Sequence, residues 1–321
     1  MTSTSVAIPV NRHPLLAALT LCAGVMIFAG QDWIIKLLSG DYPVHEAIVI
    51  RCAVAVPLLL AVICLSGNAR DIRSPRMKWL ALRGLILMVS YTTYYLAFPA
   101  MPLANVVALW FTAPLFVTAL AGPLLGEKVG PRRWAAAIVG FIGVLIMVRP
   151  LTDQFSMASL LPILSALTYG TSQLMARRMG GTESAAVMSL YQNLMFMLAA
   201  LVMAATLGTG TLAGGSDPSL EFLLRAWTTP TLRDLLLLAS CGIIAAIATT
   251  LLTQAYRMAE ANFVTSFEYS AIIWASFGGY WFWGEIPDRF TWLGAMLIVG
   301  AGLYMLFGAR AAEAVRIDQM P

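Results

Sequence analysis

Ten apolar stretches follow one another along the chain, at about residues 15–38, 46–66, 79–98, 103–124, 133–148, 157–176, 185–207, 233–255, 262–283 and 291–308. Each is about 16 to 24 residues long, enough for an α-helix to cross a hydrocarbon core of about 30 Å. The pattern predicts an all-α integral membrane protein with ten transmembrane helices. One connection is long, from Gly208 to Leu232. There Asp217 and Pro218 offer an N-cap and a first helical residue, and Leu220, Leu223, Leu224 and Trp227 form an apolar stripe. These features predict a short helix lying on the membrane surface.

Composition agrees with the pattern. Hydrophobic residues make up 60% of the 321 and charged residues 11%, far from soluble usage. The net charge of +4 comes from basic residues in short connections, where they record membrane orientation, so nucleic-acid binding is not indicated. With the N-terminus in the cytosol, the inner side holds Arg12, Arg70, Arg73, Arg76, Lys78, Lys128, Arg132, Arg133, Arg177, Arg178, Arg257, Arg310 and Arg316. The outer side keeps only Lys36, Arg149, Arg225, Arg233 and Arg289. Both termini are therefore expected in the cytosol, in a multi-pass protein of a bacterial-type inner membrane. Residues 1–16 place one arginine before a long span and show no short cleavable leader, so they read as a retained tail. Cys22, Cys52, Cys64 and Cys241 all fall in apolar segments and predict neither disulfides nor a metal site.

The chain repeats itself. ANVVALWFTAPLFVTALAGPLLGEKVGPRRW from Ala104 matches ANFVTSFEYSAIIWASFGGYWFWGEIPDRFTW from Ala261. Both open on Ala-Asn, both run to Gly-Glu (Glu127 and Glu285), and both place a Trp seven residues later (Trp134 and Trp292). Met101 and Met258 keep the spacing of 157, and the second copy carries one inserted residue. Two five-helix halves follow, spanning residues 15–150 and 157–308. Because five is odd, the second half is inverted relative to the first, an arrangement that supports alternating access.

With the basic loop and GFIGVLIMVRP that follow it, the span ending in Gly-Glu resembles the EamA-type repeat of the drug/metabolite transporter superfamily. Lys36, Pro43 and Arg51 in KLLSGDYPVHEAIVIRC resemble that family's first helical hairpin. The resemblance implies two five-helix repeats and transport of small metabolites. Within the superfamily the chain is most similar to YddG-type exporters of amino acids. The second copy departs from the repeat by carrying Glu268 and YWFW where the first has Phe111 and GPLL.

Glu268 is the candidate of greatest interest, because a charge at membrane depth costs at least a few kcal/mol. On a helix, Ala271, Ala275 and Gly279 share its face, and small residues mark helix contacts, so the acid faces protein or a cavity. Its repeat partner Phe111 is uncharged. Three readings stand: a proton carrier or anchor for a substrate ammonium, a structural pair with Arg51 or Arg83, and a hydrated bystander. Asp32 and Lys36, at i and i+4, are expected to pair with each other, with Lys36 reaching the outer interface. Gln31 is expected in the cavity.

Tyr91, Tyr95 and Phe98 fall on one helical face with Tyr94 at its edge, and Trp110, Phe111, Tyr269 and Trp274 lie at depths that complete an aromatic lining. Plain packing explains such stripes equally well. Tyr169, Gln173, Tyr191 and Gln254 are polar candidates of the same kind. Glu127 and Glu285, at helix ends, are expected to anchor loops or to cap the next helix.

His13 and His45 are the chain's two histidines, and it carries no HExxH, GxGD, GxSxG or nucleotide-binding loop. Enzyme chemistry, resident cofactors and ATP-driven pumping are therefore not expected. The expectation is a secondary carrier, monomeric or weakly dimeric, that exports amino acids, aromatic or apolar ones above all. A nucleotide-sugar or cofactor transporter is the alternative within the family, and a channel or passive scaffold the alternative outside it.

Overall fold

The computed structural model describes residues 14–66, 72–125, 130–149, 156–179, 185–258 and 267–318. Glu127 and residues 262–266 of the ninth apolar stretch lie outside them, as does the side chain of Gln254.

The described residues form α-helices joined by turns, with no strand among them. The first three stretches become α1 (Pro14–Leu38), α2 (Val44–Leu65) and α3 (Met77–Leu96). The fourth divides into α4 (Leu103–Trp110) and α5 (Ala113–Leu125). The sequence explains this break. Pro114 brings no N–H to the ladder, and the Thr112 hydroxyl donates to the Leu109 carbonyl at 2.7 Å.

α6 (Pro131–Val148), α7 (Leu160–Met179) and α8 (Ala185–Leu207) follow, α6 opening on a proline at its first position, where a missing N–H costs nothing. The short connecting helix is α9 (Pro218–Leu224), and Asp217 caps it as expected, accepting the Ser219 and Leu220 amides at 2.8 and 3.1 Å. Its buried face differs from the expected stripe: Phe222 is buried in the core while Leu220 is exposed. A seven-residue helix covering protein has room to insert one ring, and Phe222 is the one that inserts.

α10 (Leu232–Met258) precedes a 3₁₀ turn at Glu268–Ser270, from which α11 (Ala271–Trp283) continues, and α12 (Arg289–Asp318) closes the fold. Among the described residues, Leu15–Leu38, Val44–Leu65 and Ala186–Leu207 are long and apolar enough to cross a membrane by themselves, and the shorter apolar helices include Leu103–Val117 and Trp134–Val148. Large side chains such as Leu58, Phe141, Leu198, Ile247 and Trp281 point outward from the bundle, as a lipid-facing surface requires.

Helices pack in a regular scheme. α1 lies on α10 and α3 on α7, α2 touches α10 while α3 touches α8, and α1 packs on α11 while α5 packs on α7. α2 meets α8, α4 meets α11, and α6 meets α12. Exchanging α1 with α7, α2 with α8, α3 with α10, α4 and α5 with α11, and α6 with α12 leaves these pairs unchanged, whereas the α5–α6, α4–α12 and α4–α6 contacts have no counterpart of similar extent. The α6–α12 contact is backbone-close: a Cβ on Gly143 would meet the Gly294 carbonyl at 2.8 Å, and one on Gly294 the Gly143 carbonyl at 2.6 Å. The end of the bundle that bears α9 and the connections 39–43 and 284–288 is called the linker end below.

Candidate functional site

The α4–α5 break and the 3₁₀ turn that opens α11 meet at a central cleft. α1 contributes Phe28, Ala29, Gln31, Asp32 and Trp33, α3 contributes Ser90, Tyr91 and Tyr94, and α4 contributes Leu103, Val107, Trp110 and Phe111. Opposite them stand Ser165 and Tyr169 of α7, Leu252 of α10, Glu268 of the 3₁₀ turn, and Ala271 and Ala275 of α11. Counting its open mouth and the solvent in it, the cleft measures about 950 Å³.

Its walls are aromatic. Trp110 lies 4.9 Å from Tyr169 and 6.2 Å from Tyr94, centroid to centroid. Phe111, at the α4–α5 break, lies 4.9 Å from Tyr269 beside Glu268. Phe111 and Glu268 are also the residues that the repeat spacing of 157 places in register. The α4–α5 break and the 3₁₀ turn at Glu268–Ser270 therefore touch the same cleft.

The polar groups come in two layers. In the lining, the Asp32 carboxylate accepts the Tyr94 hydroxyl at 3.1 Å, and the Ser90 hydroxyl donates to the Ser165 carbonyl at 2.9 Å. Gln31 donates its amide to the Tyr95 hydroxyl, while its buried Oε1 has no protein partner. Behind this wall, Arg51 reaches the Tyr95 hydroxyl at 3.5 Å and Asn193 Oδ1 at 3.4 Å, and its guanidinium faces the Tyr91 ring at 5.7 Å. The cation is buried but enclosed by rings and oxygens, as a charge in a membrane core must be.

Of the residues singled out from the sequence, Gln31, Tyr91, Trp110, Phe111, Tyr169 and Glu268 line the cleft. Tyr95, Phe98 and Tyr269 are buried just behind it, and Gln173 hydrogen-bonds Tyr169 from the same helix. Trp274 packs instead into a separate cluster with Ala17, Leu21, Val25 and Ala255. Tyr191 is elsewhere too, donating to the Ile72 carbonyl at 2.8 Å.

The expected Asp32–Lys36 pair is not formed. Asp32 turns toward Tyr94, and Lys36, one turn further along α1, is buried against Glu285 and forms its ion pair there. Burial also keeps Lys36 from the interface. Glu285 does anchor a loop, but the helix end it caps is that of α4, through the Leu103 N–H at 3.0 Å. Asp288 serves α12 instead, accepting the Thr291 amide at 2.8 Å. Sequence reading missed Asp32, Phe28, Trp33, Ser90 and Ser165 as lining. For Phe28 and Asp32 the signal was their i, i+3, i+4 spacing with Gln31.

The chain matches the EamA-like transporter family over residues 15–149. It is 28% identical to the riboflavin transporter of Vibrio cholerae, over 90% of this chain and 92% of that one. With the riboflavin transporter of Brucella anthropi it shares 30% identity over 80% and 84% of the two chains. With the S-adenosylmethionine uptake transporter of Rickettsia bellii the identity is 26%, over 74% and 75%. A crystal structure of a further protein, 17% identical, superposes with a TM-score of 0.62 over 94% of this chain and 99% of its own, so the overall fold is shared. This is a membrane transporter. It belongs to the EamA-like transporter family of the drug/metabolite transporter superfamily.

Proposed function

We propose that the protein is an inner-membrane secondary carrier that imports a flat heterocyclic cofactor or cofactor precursor of the riboflavin or S-adenosylmethionine kind. The observation that carries this reading is the cleft itself: Trp110, Tyr169, Tyr91 and Tyr94 wall a space whose polar groups include the Asp32 carboxylate, the Gln31 amide and the Ser90 and Ser165 hydroxyls. Rings of this kind sandwich a planar heterocycle and attract a sulfonium or ammonium group. Asp32 and Gln31 Oε1 suit the N–H and O–H groups of such a ligand, and the two serine hydroxyls suit its sugar-like chain. The relatives' names support cofactors over the amino acids expected from the YddG-type resemblance, and the import direction follows the S-adenosylmethionine relatives, which are named for uptake.

Alternating access of two inverted five-helix repeats, 15–150 and 157–308, is the mechanism we infer. Its support is the set of helix contacts that survives exchange of the two halves, together with the α4–α5 break and the 3₁₀ turn in repeat register. The basic residues on the connections away from the linker end support cytosolic termini. The chain carries no ATP-binding loop, so the substrate gradient or a coupled ion drives transport.

Expression in a bacterial host that can neither make nor import riboflavin tests the reading. Growth on low external riboflavin, inhibited by excess S-adenosylmethionine but not by phenylalanine, is the expected result. A host that stays dependent on high riboflavin, and gains no uptake of S-adenosylmethionine, would rule the reading out.

A further inference from the structure

One carboxylate closes the linker end over the cleft. Glu285, two residues after α11, ion-pairs with Lys36 near the end of α1 and accepts the N–H of Leu103, the first residue of α4, at 3.0 Å. Lys36 also donates to the Met101 carbonyl at 3.1 Å, and its ammonium stands 5.0 Å from the centre of the Trp283 ring. Three segments thus converge on two side chains, whose relative exposures are 7% for Lys36 and 20% for Glu285.

The knot lies directly above the lining. Leu103, whose amide Glu285 holds, faces the cleft, and so does Trp33, three residues before Lys36. α1 and α11 touch closely here. The Trp33 indole occupies the place where a Cβ on Gly278 would stand, and a Cβ on Gly279 would come within 3.0 Å of Glu285 Oε2. A ligand entering from this side must part α1 from α11, and parting them breaks the ion pair.

We propose that the Lys36–Glu285 pair, with the Leu103 amide, is the latch that holds the cleft shut at the linker end, and that the transport cycle opens the cleft by releasing it. The proposal rests on the carrier reading but not on the substrate. Its energetic logic is specific. Removing one partner leaves the other charge buried and unpaired, which favours the open form, where water reaches it. Removing both charges takes that drive away. Each single variant therefore opens more than the double, a non-additivity that simple damage to the fold would not produce.

The test places a cysteine in the lining by Ala29→Cys, with Cys22, Cys52, Cys64 and Cys241 replaced by alanine. A membrane-impermeant maleimide is applied to cells and, separately, to inside-out vesicles. Glu285→Gln and Lys36→Met should each raise labelling from the linker-end side by about tenfold or more, with Lys36→Met/Glu285→Gln falling back toward the parent. Labelling from that side that is unchanged in both single variants would overturn the latch. So would an increase that is equal on both sides, or one that is largest in the double variant. No substrate is added, so a chain that latches but moves no heterocycle contradicts only the function proposed above.

Discussion

Asp32 and Lys36 stand four residues apart on α1 and serve different structures, one the cleft and the other the closure above it. Local spacing permits their pairing, but a carboxylate one turn away competes with a tyrosine hydroxyl and a second carboxylate brought in by distant segments. That competition was invisible in the sequence, because Glu285 lies 249 residues from Lys36. Gln31 and Glu268 were legible for the opposite reason: a polar group at mid-span needs a cavity or a partner whatever the tertiary context.

If the Asp32 carboxylate holds ligand, Asp32→Asn keeps shape and loses a charged acceptor, so uptake should fall by about tenfold or more, in line with about 1.5–3 kcal/mol for a charge-assisted bond. Initial rates in vesicles check this. Asp288 provides a pH control outside the spans. Burial pushes its carboxyl up, but the Thr291 hydroxyl and amide and the Arg149 guanidinium outweigh that and hold it below its ordinary value of 3.8. A depressed carboxylate stabilises above its unfolded value and loses that effect as pH falls through the folded one, so the Asp288 contacts are intact between about pH 5 and 8. Asp288→Asn should leave the pH profile of uptake in that window unchanged, whereas a profile that shifts would place a titrating group at the loop.

At the scale of elements, hydrophobic run length placed the helices well, since the backbone in lipid must close its own hydrogen bonds. The breaks were harder to see. The fourth stretch reads as one apolar run, and its division between Trp110 and Ala113 depends on a proline and a threonine whose effects are local. α9 shows the reverse case. Its start was legible from Asp217 and Pro218, but which ring it buries depends on the protein beneath it. Asp217→Ala removes the acceptor for two amides and should weaken α9 by about 1 kcal/mol, read as faster hydrogen exchange at Ser219 and Leu220. Exchange unaltered at both amides would mean that Phe222 and the core, and not the cap, hold the helix.

For the whole molecule, the internal likeness between Ala104 and Ala261 is what motivates the proposal of two repeats. The helix contacts that survive exchange, with the α4–α5 break and the 3₁₀ turn at one cleft, support the carrier proposal. Substrate class was less legible, because aromatic walls accept many flat ligands.

The measurement that decides the central claim is counterflow in proteoliposomes preloaded with unlabelled riboflavin, with tracer riboflavin or S-adenosylmethionine outside. A carrier with a single alternately exposed site predicts a transient accumulation of tracer above equilibrium, greatly reduced in Asp32→Asn. Flux that rises linearly with concentration, with no overshoot, would contradict the account and indicate a channel.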